Sequence, residues 1–404
     1  MKILVITQYF WPEDFRINDI CRGLKEKGHE VEVLTGLPNY PQGEYYKGYS
    51  WFKPRTEYYD GMKVMRVPLV PRGKDNAIML GLNYISFVIT SFFHLPRVLG
   101  KDYDRIFVFQ VSPITTAIPA ILLKWFRKIP ISIYIQDLWP ETFYSIININ
   151  NRTFRKIAKR FCITVYNAFH QLYIASQGYE EKLVEQGIDA NKIIYLPQWA
   201  EDYYSNSVQD KLEDEGLGNS FVVTFAGNIG KAQGVDTIIE AANLAKDKTE
   251  IKWVILGDGS EFENIKAKVK EYKLEENVIL LGRKPSTEMP KYFKSSQGLI
   301  VTLKDEDIFK LTLPAKVQSY MAAGKPILGA INGEGMKVIR KSNCGLAGPA
   351  EDYKSLYENV LRLYNMTPEQ REALGRNGKE YFLNNYTREL LLEKLENSLK
   401  NIKY

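Results

Sequence analysis

The chain has 404 residues, 45% apolar and 25% charged, ordinary for a soluble globular protein and too long for one typical core, so two domains are expected. Its three cysteines (Cys21, Cys162, Cys344) and three histidines (His29, His94, His170) are scattered, which excludes a disulfide framework, argues against a metal site and fits a reducing, cytoplasmic compartment. Net charge is +6, with 25 Lys and Arg against 18 Asp and Glu in residues 1–197 and 29 against 30 in the remainder, so the whole excess lies in the first half.

A basic half points to an anionic partner, either a membrane surface or a phosphorylated acceptor. Nucleic acid has no recognised binding motif here to support it.

Short apolar runs alternate with helix-period stretches nearly throughout, the mark of parallel α/β architecture. Residues 2–7 open as a strand, and the polar and proline residues after it are unlike a secretory cleavage site. Residues 8–15, QYFWPEDF, are a loop with two carboxylates. Ile17, Ile20, Cys21 and Leu24 then give a helix one apolar face, ended at Gly28. Residues 30–35 are the second strand. Residues 36–49, GLPNYPQGEYYKGY, form a long loop of the sort that carries function. Further strands fall at 63–68, 106–110, 131–136, 171–175 and 193–196.

Residues 76–96 carry no charge over a length that could span a bilayer. Asn83, Tyr84, Ser86, Thr90, Ser91 and His94 interrupt the run, so a buried or surface-docking helix is expected instead. A helix over 113–126 ends in Trp125, Phe126, Arg127 and Lys128. The helical stretch 153–169 sets Arg155, Lys156, Lys159 and Arg160, with Arg152 before them, beside Phe154, Ile157 and Phe161. That pattern reads either as docking on an anionic bilayer or as a solvated face over a normal core.

Residues 203–220, polar and acidic, are the expected linker. The pattern then restarts, with strands at 221–227, 251–257, 278–281, 298–301 and 326–329. Ser286 with Glu288, and Thr367-Pro368, read as helix starts, and 387–402 is a last amphipathic helix. The organisation predicted is two Rossmann-like halves facing a cleft, 1–200 and 220–385, with a C-terminal helix over 386–404 that crosses back to the first.

Two glycine-rich turns follow strands of the second half: Gly227-Asn228-Ile229-Gly230-Lys231 with Gly234, and Gly257-Asp258-Gly259. Glycine lets backbone approach a phosphate, and a lysine can neutralise it. Neither turn is a Walker loop or a dinucleotide fingerprint, and each alone is also what a tight structural turn looks like. A third loop belongs to residues 313–335, LPAKVQSYMAAGKPILGAINGEG. There Pro314 suits the first helical position, Gly324 closes the helix, and free amides near Thr312 and Leu313 would seat an anion beside Lys316. An ordinary βα unit with a solvated lysine has the same appearance. All three loops, with Arg283 after the 278–281 strand, would lie at the carboxyl edge of one sheet, where ligands bind in doubly wound folds.

Asp305-Glu306-Asp307 is either a metal-binding triplet or, more commonly, a solvated loop. Glu13, Asp14, Asp137 and Glu141 follow strand ends of the first half and could face the same cleft. Asp14 equally suits charge compensation at a helix start.

The ordered set Gly28-His29-Glu30-Val31, FAGNIGKAQGVDTIIEA, LGDGSE, LLGRKP and SYMAAGKPI resembles the GT-B glycosyltransferases of family 4 over essentially the whole chain. YFWPEDFRINDI, TGLPNYPQG, QDLWPE and PAKVQSYMAAGKP are similar to bacterial enzymes of O-antigen and capsule assembly that transfer N-acetyl-L-fucosamine. The resemblance implies a UDP-sugar donor held by the C-terminal half, without a metal or other cofactor. It implies an acceptor on undecaprenyl diphosphate, reached from the inner face of the cytoplasmic membrane. Donor-binding residues so implied are Gly227, Asn228, Gly230, Lys231, Gly257, Gly259, Arg283, Leu311, Thr312, Leu313, Lys316 and Ser319. Acceptor-binding residues are Glu13, Arg16, Asn39, Tyr40 and Glu141.

The sequence departs from the family pattern where two glutamates are usual, having Leu311 and Ser319, and has Asn228 and Gln233 in place of the common Arg and Lys. Lys231 and Lys316 are the candidates to supply the missing positive charge. The family is retaining, and leaving phosphate can then take the acceptor's proton; an inverting reaction would need Asp14 or Asp137 as base. The rival expectations are a UDP-N-acetylsugar 2-epimerase, which shares the architecture, and a non-catalytic nucleotide-sugar or polysaccharide-binding protein.

Overall fold

The structure, a computed structural model, describes residues 1–53, 55–74, 76–146, 151–204, 217 and 220–404. They form two compact units. The first comprises Met1–Ala175, Tyr179–Leu196 and, from the far end of the chain, Leu392–Tyr404; the second comprises Ser176–Gly178 and Pro197–Leu391. Most of the expected linker, 203–220, lies outside the described residues.

The first unit is built on a sheet of eight described strands: β1 (Lys2–Thr7), β2 (Glu30–Gly36), β3 (Thr56–Tyr59), β4 (Met62–Val67), β5 (Arg105–Gln110), β6 (Ile131–Ile135), β7 (Gln171–Ile174) and β8 (Ile193–Tyr195), in the order β3-β4-β2-β1-β5-β6-β7-β8. Central strands are covered on both faces, which is why KILVIT and ISIYI are continuous apolar runs rather than alternating ones. Ile3 pairs with Val31 on one side and Arg105 on the other, both parallel. The strand order reverses between β1 and β5, so the carboxyl-edge crevice opens beside Gln8 and Gln110.

The edge strand β3 was not expected. It runs antiparallel to β4, joined by Asp60 (φ 48°) and Gly61 (φ 72°), the two-residue turn that Asp-Gly favours because both positions need positive φ. Its TEYY sequence has no buried residue, so it carries no apolar signature.

The second sheet has β9 (Phe221–Ala226), β10 (Ile251–Leu256), β11 (Val278–Gly282), β12 (Gly298–Thr302), β13 (Ile327–Ala330) and β14 (Gly345–Gly348), ordered β11-β10-β9-β12-β13-β14 and parallel throughout. Its reversal lies between β9 and β12. The edge strand β14, GLAG, was also missed, being too small to read as apolar. A Cβ at Gly345 would fall 1.9 Å from the Ile327 carbonyl oxygen, so pairing with β13 requires glycine there.

Two expected helix starts change. Pro314 is not the first helical residue; it is the extended N-cap (ψ 131°) of the helix Ala315–Ala322. Ser286 makes no side-chain cap and instead opens a 3-10 turn, Ser286–Glu288, before the helix Met289–Ser295. Thr367 caps as expected: its hydroxyl accepts the Gln370 amide at 3.3 Å while the Gln370 side chain accepts the Thr367 amide at 2.9 Å.

The last thirteen residues seal the first unit. Leu392 packs where Gly23 has no Cβ, Tyr173 donates to Ser398 at 2.8 Å, and Glu396 lies 2.9 Å from His29 Nε2 and 2.6 Å from Lys400. The Lys400 ammonium, with the His29 hydrogen bond and the Lys27 charge, holds the Glu396 carboxyl down at about 2, against the desolvation that opposes it.

Candidate active site

In the second unit, β9 and β10 are each followed directly by a glycine, and β11 ends on one. Gly227 (φ 146°) and Gly257 (φ 144°) hold conformations other residues rarely adopt. A Cβ on Gly257 would sit 1.8 Å from the Gly227 carbonyl oxygen, and one on Gly259 2.5 Å from that of Ile229. The two turns therefore lie backbone to backbone, fixed by Ile229 N–H to Asp258 O and Glu261 N–H to Ile229 O, both 2.9 Å. The first turn then crosses the reversal of strand order and is pinned to β12. Thr302 donates to Gln233 O at 2.6 Å, and the Lys304 amide to Ala232 O at 3.0 Å.

Lys316, in the first turn of its helix, threads beneath this loop. Its Nζ lies 2.9 Å from where a Gly227 Cβ would be, donates to Gln233 Oε1, and sits 4.9 Å over the Phe225 ring. Among the described residues no carboxylate pairs with it. Burial lowers its pKa to about 8 with nothing acidic to oppose the shift. A part-buried lysine held only by an amide oxygen and a ring face, under glycine backbone at a sheet crevice, is arranged to receive an anion.

The other expected donor residues divide. Asn228, Lys231 and Arg283 are exposed on the same turns, and Gly230 leads into the Lys231–Gln233 turn. Thr312 is not the free amide expected: its N–H bonds Phe309 O at 3.2 Å and its hydroxyl Ile308 O at 2.8 Å, because a short helix, Asp307–Leu311, ends there. Leu313 is buried in the core, Leu311 offers its carbonyl to Ser176 at 2.6 Å, and Ser319 bonds back to Ala315 at 3.3 Å. The acidic triplet is engaged internally, Asp305 with Asn332 and Lys310, Asp307 with Lys310.

In the first unit, Glu13 acts as a clamp. Its carboxylate accepts the amides of Asn39 (2.8 Å), Tyr40 (2.7 Å) and Phe10 (3.1 Å), joining the loops after β1 and β2. Burial raises its pKa to about 7 against those bonds and the Arg66 charge. Asn39 is fully buried, bonded through its side chain to Leu37, Arg72 and Asn83. Both residues thus shape the site rather than offer free groups to a ligand. Tyr40 is exposed, packed with Tyr9 and Phe15, and Arg72 lies over its ring at 4.9 Å.

Asp137 sits after β6, its carboxylate accepting from the Ser112 hydroxyl at 2.7 Å, which in turn accepts from Trp139 Nε1 at 3.2 Å. Burial lifts its pKa to about 6. Gln110 donates to the Asp137 carbonyl at 3.0 Å, and its Oε1 is buried with no partner among the described residues, as are the Gln8 Oε1 and the Tyr9 hydroxyl after β1. Asp14 is exposed before the helix Arg16–Glu26, whose first turn holds Arg16. Glu141 accepts from Gln186 at 2.9 Å, and burial raises its pKa.

Phe225, Arg72 and Ser112 were not singled out from sequence as site residues, and Gln233 was noted only as a departure from the family's basic residue. No spacing marks them; adjacency through the sheets does.

Trp125 and Phe126 are exposed, as are Arg155, Lys156, Lys159 and Arg160. Arg127 is instead tied to Leu99 O and Asp102, and Lys128 is the left-handed C-cap of the helix Ile118–Arg127.

Two family models tile the chain: "Glycosyl transferase 4-like domain" over residues 15–199 and "Glycosyl transferases group 1" over 208–381. The chain is 25% identical over 338 residues to the putative colanic acid biosynthesis glycosyl transferase WcaI of Escherichia coli K12, covering 80% of this chain and 82% of that one. It is 28% identical over 209 residues to the N-acetylgalactosamine-N,N'-diacetylbacillosaminyl-diphospho-undecaprenol 4-alpha-N-acetylgalactosaminyltransferase of Campylobacter jejuni, covering 52% and 53%. The structure of Anabaena HepE in complex with UDP superposes with a TM-score of 0.74 at 13% identity, over 99% of this chain and all of that one, a likeness of fold.

Proposed function

We propose, from the premise that this chain is a GT-B glycosyltransferase of the group 1 type, that it transfers an N-acetylamino sugar, N-acetyl-L-fucosamine or a close relative, from UDP to a saccharide on undecaprenyl diphosphate in O-antigen or capsule assembly. The epimerase and non-catalytic readings fall away with that premise. The observation that carries the donor assignment is Lys316, with no carboxylate partner among the described residues, beneath the glycine turns. UDP in a protein of the same fold and a diphospho-undecaprenol substrate in a relative's name support the two substrate classes.

In transfer, the bond from the anomeric carbon to the β-phosphate oxygen breaks and one to the acceptor hydroxyl oxygen forms. Lys316 stabilises the charge growing on the diphosphate, helped by Lys231 and Arg283 from the rim. In a retaining, front-side reaction the acceptor's proton goes to the departing phosphate oxygen. Asp137 holds the acceptor in place, its ionised carboxylate accepting a hydrogen bond from a neighbouring hydroxyl of the acceptor sugar, so that the reacting proton is left to the phosphate.

The test is calorimetric titration of UDP into wild type and Lys316→Met, paired with radiolabelled transfer to a synthetic lipid-diphosphate saccharide. A Met variant that binds UDP as wild type does would remove Lys316 from the site; wild type that binds UDP but never glycosylates the lipid would end the acceptor assignment.

A further inference from the structure

The helix Ala77–His94 is amphipathic the wrong way round for a soluble protein. Its buried positions are Asn83, Phe87 and Ser91. Asn83 is stitched inward by bonds to Gln8 and Val70 O, both 2.5 Å; Thr90 donates to Pro68 O at 2.5 Å, and Ser86 accepts the Val70 amide at 2.9 Å. The opposite stripe, Ile78, Leu82, Ile85, Ile89, Phe92 and Phe93, is 46 to 76% exposed, at steps of three and four residues. Scattered exposed apolar residues are ordinary; a continuous stripe along an entire helix marks a surface that something covers.

This helix does not stand alone. It packs on the helix Ile118–Arg127 and on the turn Ile114–Ala117, which the helix Arg152–Asn167 also contacts. All three connect strands stepping in the same direction across the sheet, so right-handed crossovers put them on one face. That face adds exposed Trp125 and Phe126 from one helix and Phe154, Ile157 and Phe161 from the other. None of the three helices contains an acidic residue, and no Asp or Glu occurs between Glu141 and Glu180. Arg152, Arg155, Lys156, Lys159 and Arg160 are all exposed there.

An apolar stripe flanked by exposed cations on helices that carry no acidic residue is complementary to one kind of occupant: acyl chains beneath anionic headgroups. We infer that this face of the first unit docks on an anionic bilayer, with Ala77–His94 lying in the plane of the interface and its stripe inserted. The helix is long and apolar enough to cross a membrane, having a mean hydropathy of 1.5. Its inner polar stitches, however, hold one side against protein, which a span through lipid would break. The inference rests on the lipid-linked acceptor reading for its purpose; the assay below measures binding without any sugar.

Flotation of the full chain with vesicles of phosphatidylglycerol and phosphatidylethanolamine, against phosphatidylcholine alone, tests it. Wild type floats with the anionic vesicles and is released as salt rises. Ile85→Asp/Ile89→Asp weakens partitioning by at least about tenfold, since two insertions are replaced by charges. Arg155→Glu/Lys156→Glu/Lys159→Glu weakens it by about a hundredfold or more. UDP binding, read on the second unit, stays at the wild-type value in both variants and reports an intact fold. Wild type that ignores anionic vesicles, or a stripe variant that floats like wild type, overturns the inference. So does a dimer that the stripe variant dissolves while vesicle binding is unchanged, because the occupant is then a second copy. Vesicle binding without transfer to any lipid acceptor leaves the docking face standing and overturns the acceptor reading alone.

Discussion

Lys316→Met should make the protein more stable and less able to bind its donor. Burial carries this lysine from its ordinary 10.5 to about 8. The unfolded chain therefore keeps the proton across that interval while the folded chain has released it. Stability rises as pH climbs from about 8 to 10.5, and below 8 the full cost of the buried charge is present. At about 1.4 kcal/mol per pH unit the cost is roughly 3 kcal/mol at neutral pH. Methionine fills similar space without charge but loses the Gln233 hydrogen bond and the Phe225 ring contact, each worth about 0.5–1 kcal/mol. A net gain of about 1–2 kcal/mol remains, a rise of a few degrees in thermal denaturation at pH 7. UDP binding should meanwhile weaken roughly 10- to 100-fold, the worth of a charge-assisted bond to phosphate. Wild-type affinity should fall as pH rises above about 8, where the unliganded lysine loses its proton, and the Met variant should lack that slope. A variant that melts no higher than wild type, with UDP affinity and its pH dependence unchanged, would refute the reasoning.

Gly257→Ala should lower the melting temperature and UDP affinity together, by about 2 kcal/mol or more of stability, since its Cβ meets the Gly227 backbone at 1.8 Å. Gly28→Ala, also at positive φ but with nothing within 4 Å, should cost only about 1 kcal/mol, and parallel melts compare them. Wild type should show an acid limb near pH 6 in kcat/KM, and Asp137→Asn should abolish it and cut transfer about 10- to 100-fold. Glu396→Gln should destabilise by about 1–2 kcal/mol at pH 6. The Glu396 carboxyl is held near 2 against an ordinary 4.5, so its contribution is present above 4.5 and fades as pH falls toward 2; melts should show the gap narrowing over that range.

Most strands were legible because a strand covered on both faces must be apolar from end to end, and glycines mark where it stops. That reasoning finds KILVIT, ISIYI and FVVTFA without coordinates. It passes over GLAG and TEYY, because an edge strand needs only a partner's free backbone and imposes little on its own side chains. The absence of charge likewise marked 76–96 as a buried or surface-docking helix, yet composition alone does not say which face is inside. Only the packing of Asn83 against Gln8 and Val70 turned the polar side inward.

The glycine turns and Lys316 were visible as residue types at the right intervals. Whether that lysine was solvated or poised depended on Phe225 of β9 and Gln233 of the loop that follows it, residues distant in sequence that the fold sets against it. Local composition decides where elements begin and end. Burial, and the absence of a balancing carboxylate around one amine, are properties of a neighbourhood that exists only once the sheet has formed.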